Sequence, residues 1–430
     1  MNVIRRIFAL GLMATIGMSL AWAQGGSAPA GSQQTGQTAA TSELTSEQKS
    51  QIIERMSRVL TTSAFAGGAD FSKLAELLAK NKEAMDNAKT PEAFAAAVNR
   101  SLQQFGYSHI VLFSPRAAQA FTTQRMVGLG VRLEPTPEGL RVVDVIADAP
   151  AQKAGVEVGD MIITIEGKKA ESSAALSGAE GTSVKIEIKK ADGTVKPLEI
   201  TRRSFSMAEP ETIRWVQNDQ VAVVRIPSFM SYNRDRINTI MEEAKAKAKM
   251  IVLDLRSNGG GAVLNLLHLS GHFFKPDEAL GTFITRSMLE SYKKEKNVES
   301  ANLVDVAAWG TQKVRGMRLS SDPYSGQVVV LINGGTGSAG EMMAAGLQEL
   351  RGSKVIGSRS AGAVLASTVV PVSNGFQLQY PFTDYITIKG VRLEGNGVKP
   401  DFTAPAPTRF NQENDPGVAE ALKLFTGSVR

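Results

Sequence analysis

A serine lies inside a glycine-rich turn that follows an apolar, strand-like run. The run 328–332 stops at Asn333, the turn GGTGSAGE occupies 334–341, and a helix-like segment follows. At such a strand–turn–helix junction, Ser338 would present its Oγ at the carboxyl edge of a sheet, beside the positive end of the helix. The glycines would let an acyl group approach without Cβ clashes. The turn fits a serine nucleophile, although serine is also a common helix cap.

The same turn fits the G-x-G-x-x-G pattern of a dinucleotide-binding loop across residues 335–340. A dinucleotide site also needs an acidic residue about twenty positions further on. The stretch SKVIGSRSAG at 353–362 has no acidic residue, although the positive charge of Arg359 could in principle contact a 2′-phosphate. The export signal described below also argues against a nicotinamide cofactor. We therefore favour a hydrolase and expect no cofactor.

A second glycine loop follows another apolar strand. In MIVLDLRSNGGG, three consecutive glycines at 259–261 stand where the strand meets a helix. Their bare N–H groups suit a developing oxyanion, whereas a flexible turn is the alternative interpretation. Asp254, Arg256 and Glu341 are expected to orient these loops through hydrogen bonds and ion pairs.

The scarcity of other reactive side chains narrows the chemistry. The 430 residues include no cysteine, which excludes disulfides, thiolate metal sites and cysteine nucleophiles. The three histidines are His109, His268 and His272. His268 and His272 share a helical face, but no third ligand is evident, so we expect no metal. The net charge of +6 comes from scattered residues, so we expect no nucleic-acid partner.

The N-terminus has the pattern of a secretory signal. Arg5 and Arg6 precede an apolar run, which ends in Ala-Trp-Ala at 21–23. The run is short for a membrane-spanning helix, so cleavage is favoured over an uncleaved anchor. We expect a protein that is exported to the periplasm or the extracellular space.

The elements that would hold these residues follow in blocks. A linker rich in Gly, Ser and Gln precedes helical patterns, which open with Thr45 and Gln48 as a capping box and with Thr90 ahead of Pro91. Short β-type runs begin at Arg125, and strands alternate with helices further on, which predicts an α/β layer with a largely parallel sheet. Residues 280–327 interrupt this alternation and suggest an insertion or a flap beside the sheet.

A family resemblance emerges from the order of several motifs. The segment from GLGV at 128 to EGK at 168 resembles a PDZ domain, with Gly128, Leu129, Gly130 and Val131 similar to the loop that binds a peptide carboxylate. The later VLDLRSNGGG, NGGTGSAGE and EGNGVKPD resemble the core motifs of carboxy-terminal processing peptidases, also called tail-specific proteases. The resemblance implies Ser338 as nucleophile, with oxyanion donors from Ala339 and the Gly259–Gly260 turn.

The resemblance implies a fold and a set of domains. The fold is an α/β core of the ClpP/crotonase-like type, with a small β-rich PDZ domain and an N-terminal helical region. The predicted boundaries are a signal peptide at 1–23, a linker at 24–44, the helical region at 45–106, the PDZ-like domain at 124–205, the peptidase core at 107–123 and 206–410, and a helical C-terminal tail at 411–430.

The catalytic base departs from the pattern of most of that family. The family's lysine position falls on Ala363, and the glutamine four residues later is replaced by Ser367. The wider group that resembles the core of the tricorn protease uses a histidine ahead of the PDZ domain and a late glutamate. Here Ser108 and His109 in FGYSHIVLF, and Glu394 in LEGNGVKPD, match those positions. The resemblance therefore implies a Ser338–His109 pair supported by Ser108 and Glu394.

Together these patterns predict an exported serine endopeptidase that binds protein C-terminal tails and cleaves them through an acyl-enzyme. An unshifted histidine base would give an acid limb of activity near pH ~6.5. The absent lysine keeps one alternative open, a PDZ and protease-core scaffold that binds peptide tails without turnover. The expected partners are protein or peptide substrates bound by their C-termini, and homo-oligomerisation is left open.

Overall fold

A computed structural model describes residues 43–405, 410 and 412–425, with the backbone alone for residues 174 and 175. The predicted signal peptide and nearly all of the predicted linker lie outside these residues. In the part of the chain that is described, no helix is long and apolar enough to cross a membrane.

Helices dominate the first described segment. Thr45 and Gln48 form the expected capping box at the first helix. The Thr90 side chain accepts a hydrogen bond from the Ala93 N–H and caps the helix that begins at Pro91. The buried side chains of these helices pack against the later strand that contains Phe376, so the region is anchored on a sheet. The elements in chain order are α1 Ser46–Ser63, α2 Leu74–Ala79, α3 Lys82–Asp86, α4 Pro91–Leu102, β1 Val111–Phe113 and α5 Pro115–Thr123.

A β-rich unit follows, with its own buried core of Leu, Ile and Val side chains. Its antiparallel sheet has the order β3-β4-β5-β7-β8, with β6 paired to β5, and β2 pairs with β9 as a separate two-stranded ribbon. The elements are β2 Arg125–Gly128, β3 Val131–Thr136, β4 Gly139–Val145, α6 Pro150–Lys153, β5 Met161–Ile165, β6 Lys168–Lys169, β7 Ser183–Lys189, β8 Val195–Thr201 and β9 Arg203–Ser206.

The third unit is built on a six-stranded sheet with the order β10-β11-β12-β15-β16-β19. Apart from the antiparallel β10–β11 pair, its strands are parallel. The alternation of strand and helix therefore predicted this layer correctly. The elements that form it are β10 Thr212–Val216, β11 Val221–Arg225, α7 Arg234–Lys247, β12 Met250–Asp254, α8 Val263–Gly271, β15 Gln327–Ile332, α11 Ala339–Arg351, β16 Lys354–Gly357, β19 Phe402–Thr403 and α12 Pro416–Lys423.

Register in this sheet brings the two glycine-rich loops together. The central strands β11 and β12 are buried at every position, as expected for parallel strands covered on both faces. Asp254 at the end of β12 pairs with Leu331 near the end of β15. The loops that follow these two strands therefore leave the same edge side by side.

A second, antiparallel sheet corrects the interpretation of residues 280–327 as an insertion or flap. The segment begins with an interior strand of this sheet, whose order is β1-β18-β13-β14 with β17 paired to β18. Two helices follow that strand, and their apolar side chains pack on it. The elements are β13 Ala279–Thr285, α9 Arg286–Lys296, α10 Leu303–Trp309, β14 Val314–Arg315, β17 Ala366–Ser373 and β18 Phe376–Thr387.

Candidate active site

Ser338 lies between the end of β15 and the first residue of α11, as the sequence predicted. Its backbone has φ 50° and ψ −121°, which is an unusual conformation for a residue other than glycine. Thr336 holds the preceding turn, because its Oγ1 donates to the Leu255 carbonyl over 2.8 Å. Ser338 is partly exposed, whereas the first residues of α11 after it are buried. This strand–turn–helix geometry is typical of an exposed nucleophile.

The glycine loop after β12 contacts the Ser338 turn directly. The Gly337 N–H donates to the Asn258 carbonyl over 2.9 Å. Gly260 has φ +97°, and a Cβ on it would lie 2.5 Å from the Ser338 Cβ. Glycine is therefore required at 260 both by its backbone conformation and by the close approach to Ser338.

The three predicted oxyanion donors differ in their surroundings. The Gly260 N–H donates to the Asn258 Oδ1 over 2.9 Å, so it is engaged within the loop. Among the described residues, the N–H groups of Gly259 and Ala339 have no hydrogen-bond partner, and the space a Gly259 side chain would fill is open. The Ala339 N lies 3.0 Å from the position of a Cβ on Gly260. Gly259 and Ala339 are thus the donors available to a bound carbonyl.

Ser108, His109 and Glu394 form a hydrogen-bonded group. The Ser108 Oγ lies 2.7 Å from the His109 Nδ1 and donates to the Glu394 Oε2 over 2.9 Å. The Ser108 N–H donates to the other oxygen of Glu394 over 2.7 Å. These residues meet because β1 and β18 are antiparallel, so that the chain ahead of Val111 extends along the later half of β18, and Glu394 follows that strand.

One short segment connects this group to Ser338. The Ala363 carbonyl accepts the Ser338 N–H over 2.7 Å, and the next residue, Val364, donates its N–H to the Glu394 Oε2 over 2.9 Å. No hydrogen bond joins the Ser338 Oγ to His109 within the described residues, and the His109 Nε2 has no partner there. The structure thus fixes one ring nitrogen of His109 and leaves the other available.

Burial sets the protonation of His109. It lowers the pKa of the imidazole from 6.5 to about 4. His109 is therefore neutral at physiological pH, which is the state that a general base needs. Its backbone has φ +59°, a positive value like that of Ser338 and uncommon for residues other than glycine.

Ala363 occupies the position at which the resemblance implies a lysine in most of the family. Its backbone touches Ser338, but its methyl group can neither accept nor donate a proton. Ser367, at the position of the family's glutamine, accepts a hydrogen bond from the Gln379 Nε2 within the β17–β18 hairpin. A base from this segment is thus excluded by residue type.

Glu341 fixes the segment that carries Ala363. Its carboxylate is fully buried and accepts hydrogen bonds from the N–H groups of Ser338, Gly362 and Ala363 and from the Ser360 hydroxyl. Burial raises the pKa of this carboxyl, although the hydrogen bonds act in the opposite direction. The sequence indicated an orienting role for Glu341 but gave no sign of Ser360 as its partner.

Arg256 has a comparable orienting role at the base of the glycine loop, as the sequence suggested. Its guanidinium binds Asp254 two residues earlier and also Asp415, which is 159 residues away. The Asp-Pro pair at 415–416 is a typical helix start, and Asp415 does cap α12. No sequence pattern, however, linked it to Arg256.

The predicted carboxylate-binding loop runs from Gly128, the last residue of β2, to Val131, the first residue of β3. The Leu129 carbonyl accepts from the Ala151 N–H over 2.8 Å, and the Leu129 side chain is buried in the core of the β-rich unit. Gly130 has φ +78°, and a Cβ there would lie 2.1 Å from the Ala149 Cβ. The loop is therefore held against the start of α6 and requires glycine at 130.

His268 and His272 are buried in the core, and each has one ring nitrogen within hydrogen-bond distance of another side chain. The His268 Nδ1 lies 2.9 Å from the Tyr232 hydroxyl, and the His272 Nε2 lies 3.1 Å from the Asn238 Oδ1. Burial lowers the pKa of His272 to about 3, with Lys245 and His268 adding to the effect. The described residues contain no group of three or more His, Asp or Glu side chains that could hold a metal.

Comparisons with known proteins define the class of this chain. Residues 220–404 match peptidase family S41, and residues 127–201 match the PDZ domain. The chain therefore carries a PDZ domain together with a peptidase domain of the serine type.

The curated relatives are more specific. The chain is 26% identical over 291 residues to the carboxy-terminal-processing protease of Bartonella bacilliformis. This match covers 65% of this chain and 62% of that protein. It is 27% identical over 288 residues to the carboxy-terminal processing protease CtpA of Bacillus subtilis. That match covers 65% of this chain and 56% of that protein. The chain thus spans less than two thirds of the length of these relatives.

Solved structures share the fold. The photosystem II D1 C-terminal processing protease has a TM-score of 0.51 at 22% identity, with 88% of this chain and 98% of that chain covered. Mature CPAF complexed with lactacystin has a TM-score of 0.55 at 13% identity, with 88% of this chain and 97% of that chain covered. At these identities the likeness is one of fold.

Proposed function

We propose that this protein is an exported serine endopeptidase that recognises and cleaves protein C-terminal tails with a Ser338–His109–Glu394 arrangement. The observation that carries the proposal is the Ser108–His109–Glu394 hydrogen-bonded group, connected by residues 363–364 to Ser338 at a site with no lysine. The relatedness to carboxy-terminal processing proteases supports the substrate class.

In the first half of the reaction, the His109 Nε2 takes the proton of the Ser338 hydroxyl as the Oγ attacks the substrate carbonyl carbon. The His109 Nδ1–H donates to the Ser108 Oγ, whose own proton is donated to Glu394, so the carboxylate stabilises the imidazolium through Ser108. The oxyanion accepts from the Gly259 and Ala339 N–H groups. His109 then gives its proton to the leaving amine, which leaves an acyl-enzyme on Ser338.

In the second half, His109 removes a proton from a water molecule that attacks the acyl-enzyme, and Ser338 regains its proton as the peptide acid leaves. The PDZ domain supplies the preference for tails, because the loop at 128–131 presents backbone N–H groups that suit a terminal carboxylate. The N-terminal pattern at 1–23 supports export.

Ser338→Ala and His109→Ala test the assignment. Each variant is expected to lower kcat for a peptide substrate by at least ~100-fold, because each removes a group that moves a proton or forms the covalent bond. His268→Gln is the control, since it alters a buried histidine outside the site. Unchanged cleavage by folded His109→Ala would rule out the proposed base.

A second candidate function is tail binding without turnover, which is favoured by Ala363 at the lysine position and by the lack of a Ser338–His109 hydrogen bond. Labelling of the wild-type protein with a fluorophosphonate, compared with Ser338→Ala, separates the two. Serine-dependent labelling supports the peptidase. Tight binding of a C-terminal peptide with neither labelling nor cleavage supports the scaffold.

A further inference from the structure

The C-terminal helix α12 covers one face of the peptidase sheet. It lies beyond the residues that match peptidase family S41. Its Val418 and Ala421 side chains are buried against Val329 and Leu331 of β15, on the opposite face from the one that packs on α11. The helix, predicted as part of a tail outside the core, is therefore a layer of the core.

Asp415, at the start of α12, makes a two-pronged ion pair with Arg256. The Asp415 Oδ1 accepts from the Arg256 Nη1 over 2.8 Å, and the Oδ2 accepts from the Nη2 over 2.6 Å. Only 1% of Asp415 and 4% of Arg256 is exposed. Asp415 also accepts the N–H groups of Gly417 and Val418, so the same carboxylate caps the helix. A Cβ on Gly417 would lie 3.1 Å from the Arg256 Nη1, which shows how closely the two segments meet.

Arg256 stands immediately ahead of the glycine loop. Its Nε and Nη2 bind Asp254 at the end of β12, and its carbonyl accepts from Arg225. Within the described residues, the Nη1 has Asp415 as its hydrogen-bond partner. The next residue, Ser257, donates its N–H to Asn333 at the end of β15. Asp415 is therefore connected to the loop beside Ser338 through the side chain of Arg256.

We propose that Asp415 is a positioning residue for catalysis. It holds Arg256 and, through Arg256, the loop that presents the Gly259 N–H to the site and places Gly260, which has no side chain, against Ser338. The proposal rests on the proposed peptidase function. Loss of the carboxylate removes a negative charge and an acceptor oxygen from beside a buried guanidinium, and such a group gains by turning toward water. The Asp254 Oδ1 accepts both the Arg256 Nε and the Arg256 backbone N–H, over 2.8 Å and 3.0 Å, so a shift of the guanidinium also disturbs the backbone that leads into the loop.

Asp415→Asn tests the proposal in the full chain, with Val418→Ala as a matched control. Both variants weaken the attachment of α12, but only the first replaces the charged acceptor of Arg256 with a neutral amide, whose NH2 group faces the donors of the guanidinium. We expect Asp415→Asn to lower kcat by at least ~10-fold with little change in KM, and Val418→Ala to retain most of the wild-type kcat. Asp415→Glu keeps the charge and is expected to recover part of the loss. Equal kcat values in Asp415→Asn and Val418→Ala, at equal folded fraction, would overturn the proposal.

Hydrogen exchange gives a readout that does not need activity. The N–H groups of Ser257, Asn258 and Gly260 are hydrogen-bonded in the loop. Asp415→Asn is expected to speed their exchange relative to Val418→Ala, under conditions in which the strand amides of β12 exchange equally. Equal loop exchange in the two variants contradicts the positioning role even if the wild-type protein cleaves no peptide. Failure of cleavage in the wild type alone would instead count against the proposed function.

Discussion

At the scale of single residues, the proposed chemistry depends on how His109 is held. Its Nδ1 is fixed by Ser108, which in turn is held by Glu394 at both its N–H and its hydroxyl. Glu394 is itself buried and also accepts the Val364 N–H. The carboxylate therefore acts on the imidazole through a serine, and the ring orientation depends on all three side chains.

Burial of His109 should move the pH dependence of cleavage. Its pKa is lowered from 6.5 to about 4, so the base remains unprotonated far below the pH at which a free histidine would lose activity. We expect the acid limb of kcat/KM to lie near pH 4 to 5, rather than at ~6.5 as for an unshifted histidine. Initial rates after a rapid pH change, with folding monitored by circular dichroism, measure this. A limb near pH 6.5 in the folded enzyme would contradict the effect of burial.

Residues close in sequence were the more predictable ones. The Ser338 turn is local, because its strand, glycines and helix are consecutive, and the structure has them as predicted. Ser108, His109 and Glu394 were matched from motif positions, and the structure brings them into contact, although their catalytic roles remain predictions. Asp415 could not be found in this way, since only the folded sheet brings it to Arg256, 159 residues away.

At the scale of elements, the site is a junction of two strand-to-helix loops from neighbouring parallel strands. The β12–β15 register places the ends of these strands side by side. The loops are then joined by the Gly337–Asn258 hydrogen bond and by the contact of Gly260 with Ser338. The second sheet contributes the histidine and the glutamate through β1 and β18.

Gly260→Ala should therefore impair the site more than it destabilises the fold. A Cβ at 260 would lie 2.5 Å from the Ser338 Cβ, so the serine or the loop must shift, and we expect kcat/KM to fall by at least ~10-fold. The left-handed φ of +97° adds a stability cost of about 1–2 kcal/mol.

Gly352→Ala is the control for this backbone cost. Gly352 has φ +64° at the end of α11, and a Cβ there would have nothing within 4 Å. It should show a similar loss in the free energy of unfolding, measured by urea titration, with near wild-type kcat/KM. If both alanine variants lost activity equally, close packing against Ser338 would not be the cause.

At the scale of the whole molecule, the sequence predicted the parallel layer better than the antiparallel one. Continuous apolar strands alternating with helices indicate a parallel sheet from local pattern alone. Strand Ala279–Thr285 was missed because its partners are β18 and β14, which lie far apart in sequence, and no local signal separates such a strand from an insertion. The same holds for α12, whose helical character was predicted but whose packing on the sheet was not.

The three histidines, two of them buried and His109 partly buried, give the whole fold a pH dependence. Burial lowers the pKa of His109 to about 4 and that of His272 to about 3, both from 6.5, and it also lowers the pKa of His268. The unfolded chain takes up protons near pH 6.5, while the folded chain does so only at lower pH. Their contribution to stability is therefore complete above pH ~6.5 and is lost as the pH falls through the folded values. Glu341 and Glu349, whose pKa values burial raises, act with the opposite sign.

His272→Gln isolates the share of one histidine in this dependence. The side chain is 2% exposed, and its Nε2 lies 3.1 Å from the Asn238 Oδ1, a contact that the glutamine amide can replace. Because each such histidine contributes a slope of up to about 1.4 kcal/mol per pH unit, the variant should lose stability less steeply than the wild type between pH 6 and 4. Urea unfolding at several pH values measures both slopes. His109 is unchanged in the variant, so some slope must remain. Identical slopes in the two proteins would show that His272 is not held neutral by the fold.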